Sequence, residues 1–208
     1  KPPTGQQNRV TDLTPIEDGA GGYLLIWHYH NLGDYNQNGS VGVSDITPLA
    51  IYFNQSAPDP NSIQGAVDGD GSGDIRVADV TPIAMNFSSD CAGYLVQSAP
   101  TADGPWTSPG EFVPFAAGTG TGRLVFQSPL PPTASGYARV VPVDGANQPG
   151  IESNVVAITA VSESPTIVSV TPKEGIAGDS IALSAVVKGT PPITYAWDFG
   201  SGAAPNTS

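Results

Sequence analysis

Apolar residues along this chain come in short runs, most of them alternating with polar ones, and turn residues break every run. Seven segments predict strands: 9–16 (RVTDLTPI), 23–30 (YLLIWHYH), 93–99 (GYLVQSA), 111–115 (EFVPF), 123–130 (RLVFQSPL), 136–144 (GYARVVPVD) and 153–159 (SNVVAIT). A Gly-rich stretch at Gly19 to Gly22, the run Ala102-Asp103-Gly104-Pro105 and the segment Asp144 to Gly150 separate them. The two-residue period of the second segment puts Leu25, Trp27 and Tyr29 on the inner face, with His28 and His30 on the other. Two further segments, ITPLAIYF (46–53) and VTPIAMNF (80–87), read as short apolar helices, with Thr47-Pro48 and Thr81-Pro82 as cap and first-turn proline. Leu49, Ile51, Phe53, Ile83, Met85 and Phe87 on them read as core or docking surface. Three more strand candidates follow: TIVSVTP, SIALSAVV and ITYAWDFG.

Composition agrees with short strands and turns. Gly and Pro supply 46 of the 208 residues, which rules out long helices over most of the chain. Charged residues are 12%, so Ser, Thr, Asn, Gln, Gly and Pro must cover the surface. The expected class is mainly β.

The two helical segments belong to an internal repeat. Shifted by 34 residues, DYNQNGSVGVSDITPLAIYF aligns with DGDGSGDIRVADVTPIAMNF. The identities include Asp34/Asp68, Gly39/Gly73, Asp45/Asp79 and Phe53/Phe87. Each copy has the spacing of a 12-residue calcium loop, because a hard cation wants six to eight oxygens and alternate residues turn theirs inward. Positions 1, 3 and 5 are Asp34, Asn36 and Asn38 in loop 1, and Asp68, Asp70 and Ser72 in loop 2. Gly39 and Gly73 make the sharp turn at position 6, Ser40 and Asp74 offer a main-chain carbonyl, and Asp45 and Asp79 close the shell. Val41 and Ile75 at position 8 are expected to join the loops by a short strand pairing and a dry contact. The expected cofactors are two calcium ions, bound more tightly by loop 2, which has four acids against two.

These tandem loops, each followed by one short helix and ending in Asp, resemble a type I dockerin. That resemblance implies a module ordered by calcium that plugs into a cohesin domain. It covers roughly Asp34 to Asp90. Positions 10 and 11 depart from the family's small polar residues, being Val43-Ser44 and Val77-Ala78. The flanking strands resemble a split fibronectin type III domain, with Trp27 as its second-strand tryptophan, Leu130-Pro131-Pro132-Thr133 as its Leu-Pro corner and Tyr137 as its core tyrosine. Arg9 to Ala160 spans 152 residues, and the 57 of the calcium module leave 95, close to the ~100 such a sandwich needs. The alternative is an isolated hairpin, a dockerin, and then a shorter five-stranded sandwich. Tyr195-Ala196-Trp197-Asp198-Phe199-Gly200 resembles the signature of a PKD domain, which needs about twice the 46 residues from Glu163 to Ser208. The expected architecture is an N-terminal tail (1–8), a fibronectin III-like, immunoglobulin-like β-sandwich (9–33 and 91–160), an inserted small α-helical dockerin-like module (34–90) and a partial second β-sandwich (161–208).

Charge and missing motifs narrow the function. The net charge is −12 and the seven basic residues are scattered, so nucleic acid is not an expected partner. No apolar run reaches the ~20 residues of a membrane span. Lys1-Pro2-Pro3 is an improbable translation start and reads as a processed or trimmed chain. Cys91 reads as a small buried residue. His28 and His30 lack a companion ligand cluster, the AGTGTG run ending at Gly122 precedes a strand and reads as a turn, and the dense carboxylates are committed to the loops. Trp106 and Trp197 read as core before carbohydrate platform. The chain is expected to be an extracellular, non-catalytic calcium-binding structural or assembly protein. Its expected partner is another copy of itself, completing residues 161–208 by strand addition, or a cohesin-like protein if it is the docking fragment of a larger secreted protein.

Overall fold

The structure is a computed structural model that describes residues 9–18, 22–107, 110–130, 136–158, 166–171, 184–188, 193, 194 and 196. They fall into two compact units, Lys1–Ala160 and Val161–Ser208.

The protein is mainly β. In the first unit, strands β1 (Thr14–Glu17), β2 (Tyr23–His28) and β5 (Val125–Leu130) form one antiparallel sheet in the order β1-β2-β5. Strands β3 (Gly93–Ala99), β4 (Glu111–Pro114), β6 (Gly136–Val143) and β7 (Val156–Ile158) form a second, in the order β4-β3-β6-β7. Alternation along β2 buries Tyr23, Leu25 and Trp27, and its register sets Trp27 beside Phe126. The same period turns Tyr94, Val96, Ala138 and Val140 inward from the other sheet. The faces meet through aromatic rings. Trp27 lies edge-on to Tyr94 at 5.3 Å, and Tyr94 to Phe126 at 4.9 Å. Each such pair adds about 0.5–1.5 kcal/mol beyond area burial. Truncating Trp27 to alanine would cost about 3–5 kcal/mol.

Two expectations change here. The first strand is shorter than 9–16, because the Asn154 side chain takes up Leu13: it accepts from Leu13 N at 3.0 Å and donates to Leu13 O at 2.9 Å. Val10 and Leu13 are buried all the same. Tyr137 is only half-buried, since the inward positions of β6 are Ala138 and Val140, and the tyrosine packed on Trp27 is Tyr94. Of the Leu130 to Thr133 corner, residues 131–133 lie outside the described set.

Segment 34–90 lies between β2 and β3, so the first sheet takes β1 and β2 from before it and β5 from after it, whereas all four strands of the second sheet follow it. Within it, 3-10 turns Val43–Asp45 and Val77–Asp79 run straight into helices α1 (Ile46–Tyr52) and α3 (Val80–Asn86). Asp45 and Asp79 therefore stand at the N-cap positions. Thr47 and Thr81 fall inside the first turn and cap nothing. A third helix, α2 (Ile63–Val67), was not anticipated; Ser62 caps it by accepting from Gly65 N at 3.0 Å. Tyr35, Val41, Leu49, Ala57, Val67, Ile75 and Ile83 make the segment's own core. Ile51, Phe53, Met85 and Phe87 are exposed.

In the second unit, β8 (Thr166–Thr171) pairs antiparallel with β9 (Ser184–Lys188), with an irregularity between Ile167 and Ser169. The candidate signature 195–200 lies outside the described residues apart from Ala196, as do residues 1–8. Among the described residues, no helix is long and apolar enough to cross a membrane.

Candidate metal centre

The two halves of the repeat interlock. Val41 and Ile75 share a dry core, but they do not pair with each other. Val41 N donates to Ser89 O and Ser88 N to Val41 O, at 2.8 and 2.9 Å. Ile75 N donates to Gln55 O and Asn54 N to Ile75 O, at 2.9 and 3.0 Å. Each loop is thus closed by the segment that follows the other loop's helix. Asn54 and Ser88, which begin those segments, share an unusual left-handed turn with φ of 65° and 66°. Ala57 N bonds Gly73 O just as Cys91 N bonds Gly39 O, both at 2.7 Å. The repeat therefore extends in space to Ala57 and Cys91, both small and buried, beyond the identities visible in the sequence.

Both loops carry the same internal scaffold. The position 1 carboxylates receive amide N–H groups within their own loops. Asp34 Oδ2 accepts from Gly39 N and Asp68 Oδ2 from Gly73 N, each at 2.8 Å. Asp34 Oδ1 and Asp68 Oδ1 accept from Asn38 N and Ser72 N, each at 3.1 Å. At position 12, Asp45 accepts from Asn36 N and Gly42 N, and Asp79 from Asp70 N and Arg76 N. Both position 12 side chains are 0% exposed. Burying a carboxylate without a cation is costly even with several N–H donors.

In loop 2 the carboxylates converge: one oxygen each of Asp68, Asp70 and Asp79 lie within 4.8 Å of one another. Three like charges that close repel strongly unless a cation or protons intervene. This triad could hold a metal ion, and its all-oxygen donors suit a hard cation. Hydrogen bonds from Ser72 hold the Asp70 carboxyl below its ordinary range. The Ser72 hydroxyl donates to Asp74 O at 3.0 Å, while the Asp74 carboxylate turns outward to Ser56 and Arg76. Loop 1 gathers Asp34, Asn36, Asn38, Ser40 and Asp45 in one hydrogen-bonded network, with two carboxylates in place of three. A cleft of about 530 Å³ flanks loop 2, walled by Asp68, Asp70 and Ser72 on one side and by His30 and Arg123 on the other.

Residues with no obvious metal role tie these loops to the sheets and to each other. Tyr29 OH donates to Asp34 Oδ2 at 2.5 Å, and Tyr35 OH to Asp79 O at 2.6 Å. Burial pushes the Asp34 carboxyl up to about 6, opposed by the Tyr29 hydrogen bond and assisted by the charge of Asp45. Burial likewise raises both tyrosines. Gln37 bridges to Gly122 O and Leu124 N. Arg123 donates to Pro60 O, Tyr29 O and Gly65 O. Sequence reasoning gave Tyr29 a core position without its bond to Asp34, and missed Tyr35, Gln37 and Arg123. Its available signals were slight: Arg123 is the sole basic residue between Arg76 and Arg139, and Tyr35 faces Gly69 across the repeat.

The remaining candidates have local explanations. His28 Nδ1 contacts Asp12 Oδ2 at 2.5 Å, while His30 is half-buried on the cleft wall. Trp106 is half-buried and covered by the Arg139 guanidinium, 4.3 Å from the ring centre, so it is neither core nor open platform. Cys91 is buried, and that burial pushes its thiol up to about 12. Trp197 lies outside the described residues. No family model, curated protein or solved structure matches the chain.

Proposed function

We propose that the chain is a calcium-braced β-sandwich that serves outside the cell as a non-catalytic structural or assembly unit. The observation that carries this reading is the duplicated scaffold: two loops with the same buried position 12 aspartate and the same amide bonds, one bringing three carboxylates together. Asp34, Asn36, Asn38, Ser40 and Asp45 would hold one ion, and Asp68, Asp70, Ser72, Asp74 and Asp79 the other. The strand orders β1-β2-β5 and β4-β3-β6-β7, with a buried tryptophan on β2, support a fibronectin III-like sandwich split by a dockerin-like module. In the brace reading, calcium draws the loops tight and so fixes the entry to β3 beside the exit from β2.

Calorimetric titration of the full chain is the test. It is expected to give two calcium equivalents, reversed by chelation, with the tighter site lost in Asp68→Ala and the weaker in Asp34→Ala. No calcium heat would overturn the reading. Self-association is the form of assembly proposed, because Ile167, Val168 and Val186 on β8 and β9 are exposed. Light scattering in calcium is expected to show growth; a calcium-loaded monomer would count against it.

A second reading has its own observation. Val43 and Val77, at loop positions 10, are 70% and 74% exposed, with Ile46 and Val80 exposed beside them in sequence. Such a duplicated apolar surface supports docking into a cohesin-like partner, as the dockerin resemblance implies. Charged substitutions at both valines are expected to abolish such binding and leave calcium uptake intact.

A further inference from the structure

The two loops share a scaffold but not their surroundings. Loop 1 grows out of the sheets. The ring of Tyr29 packs edge-on to Phe115 at 5.2 Å and lies 6.3 Å from Phe126, so its hydroxyl reaches Asp34 from the apolar interior of the two-sheet body. The carbonyl of Gly39 holds Cys91 N two residues before β3, and Gln37 spans the approach to β5. Loop 2 is held within its own module. Asp68 receives the Ser72 and Gly73 amides, and Gly73 O is taken by Ala57. Ile63, the repeat equivalent of Tyr29, has no hydroxyl to give.

We infer that loop 1 is the site whose filling locks the two-sheet body, with Tyr29 as its positioning residue, and that loop 2 serves the module alone. The inference rests on the calcium reading above. With Gly39 N and Tyr29 OH both on Oδ2, the carboxylate of Asp34 is fixed in rotation and Oδ1 keeps lone-pair capacity. Hydrogen bonds to a charged acceptor are among the stronger ones, so removing the hydroxyl is expected to weaken loop 1 by about 10- to 100-fold. Linkage makes the effect reciprocal: whatever Tyr29 contributes to the ion, the ion contributes to holding Tyr29 in the core.

The experiment pairs calorimetric calcium titration with hydrogen exchange on the full chain, read at peptides covering β2 and β3. Tyr29→Phe keeps the ring, and is expected to weaken one site by that factor, to spare the other, and to diminish calcium-induced protection of β2 and β3. Asp34→Ala is expected to lose that protection, and Asp68→Ala to keep it. Unchanged affinities in Tyr29→Phe, or equal loss of protection in the two aspartate variants, would overturn the inference while leaving the calcium reading intact. Should a variant fail to fold, the unmodified chain decides. With ¹³C-labelled tyrosine, the assigned Tyr29 ring signal should move as calcium fills loop 1, and a signal indifferent to two bound ions overturns the inference. Absence of any calcium heat in the unmodified chain overturns both readings together.

Discussion

Tyr35 and Gly69 occupy the same place in the two halves of the repeat, and the hydroxyl of one fills the space that a side chain on the other would need. A Cβ at Gly69 would stand 2.0 Å from Tyr35 Oη and 2.8 Å from Pro82 Cγ. The pair explains why the halves differ at loop position 2, where one residue must be large and the other absent. Gly69→Ala is expected to lower stability by about 1–3 kcal/mol through overpacking. Tyr35→Phe in that background should restore part of the loss, since it removes the clashing oxygen. Urea unfolding of the single and double variants measures this, and strict additivity would refute it.

Arg123 clamps the module with one planar group. Its Nε, Nη1 and Nη2 reach Pro60 O at 3.0 Å, Tyr29 O at 3.3 Å and Gly65 O at 2.8 Å. Burial lowers its pKa, yet its charge remains satisfied by carbonyl dipoles. Lysine keeps the charge but not the fork. Arg123→Lys is expected to cost about 2–4 kcal/mol, read as a lower urea midpoint at unchanged slope.

His30 supplies a pH signature. Burial, and then the neighbouring Arg123, bring its imidazole down to about 4 from an ordinary 6.5. As pH falls, the unfolded chain takes up this proton first, so the folded state loses ground. The contribution of His30 is full above about pH 6.5 and is lost as pH falls towards about 4. His30→Gln should therefore lose less thermal stability than the unmodified chain across that window. Parallel pH profiles of Tm for the two proteins would disprove it.

Cys91 should be inert. Its thiol, pushed up to about 12, is hardly ionised near pH 8 and is buried besides. A thiol reagent is expected to label it only at the rate of unfolding, and fast labelling of the folded chain would contradict this. Cys91→Ala reproduces the residue at the equivalent Ala57, and should cost no more than about 1.5 kcal/mol.

How much of this was legible depended on distance along the chain. The convergence of Asp68, Asp70 and Asp79 was readable because it is a local matter of spacing within twelve residues. Leu25 and Trp27 were readable because strand alternation needs no partner to be known. Val41 was misread because its partners, Ser88 and Ser89, lie 47 and 48 residues away and are chosen by the crossing of the halves. Helix α2 escaped because it has five residues and Gly65 at its centre, where a Cβ would stand 2.2 Å from Asp59 O. Close packing, not helix propensity, put that glycine there. Tyr137 was misplaced by one residue of alternation, which moves a side chain from one face of a sheet to the other.

The interlocking of the halves also bears on how the sheets find each other. Sixty-four residues separate His28, the last of β2, from Gly93, the first of β3. Drawing the ends of so long a flexible connection together would oppose assembly of the two sheets. Once Ile75 is closed by Gln55 and Val41 by Ser89, the connection behaves as a short rigid link, and on the order of 2 kcal/mol of closure entropy no longer stands in the way. The nearer crossing spans 20 residues and the farther one 48, so the nearer should form first. The module thus sets an order of events: it closes upon itself, and the closure delivers β3 to its sheet.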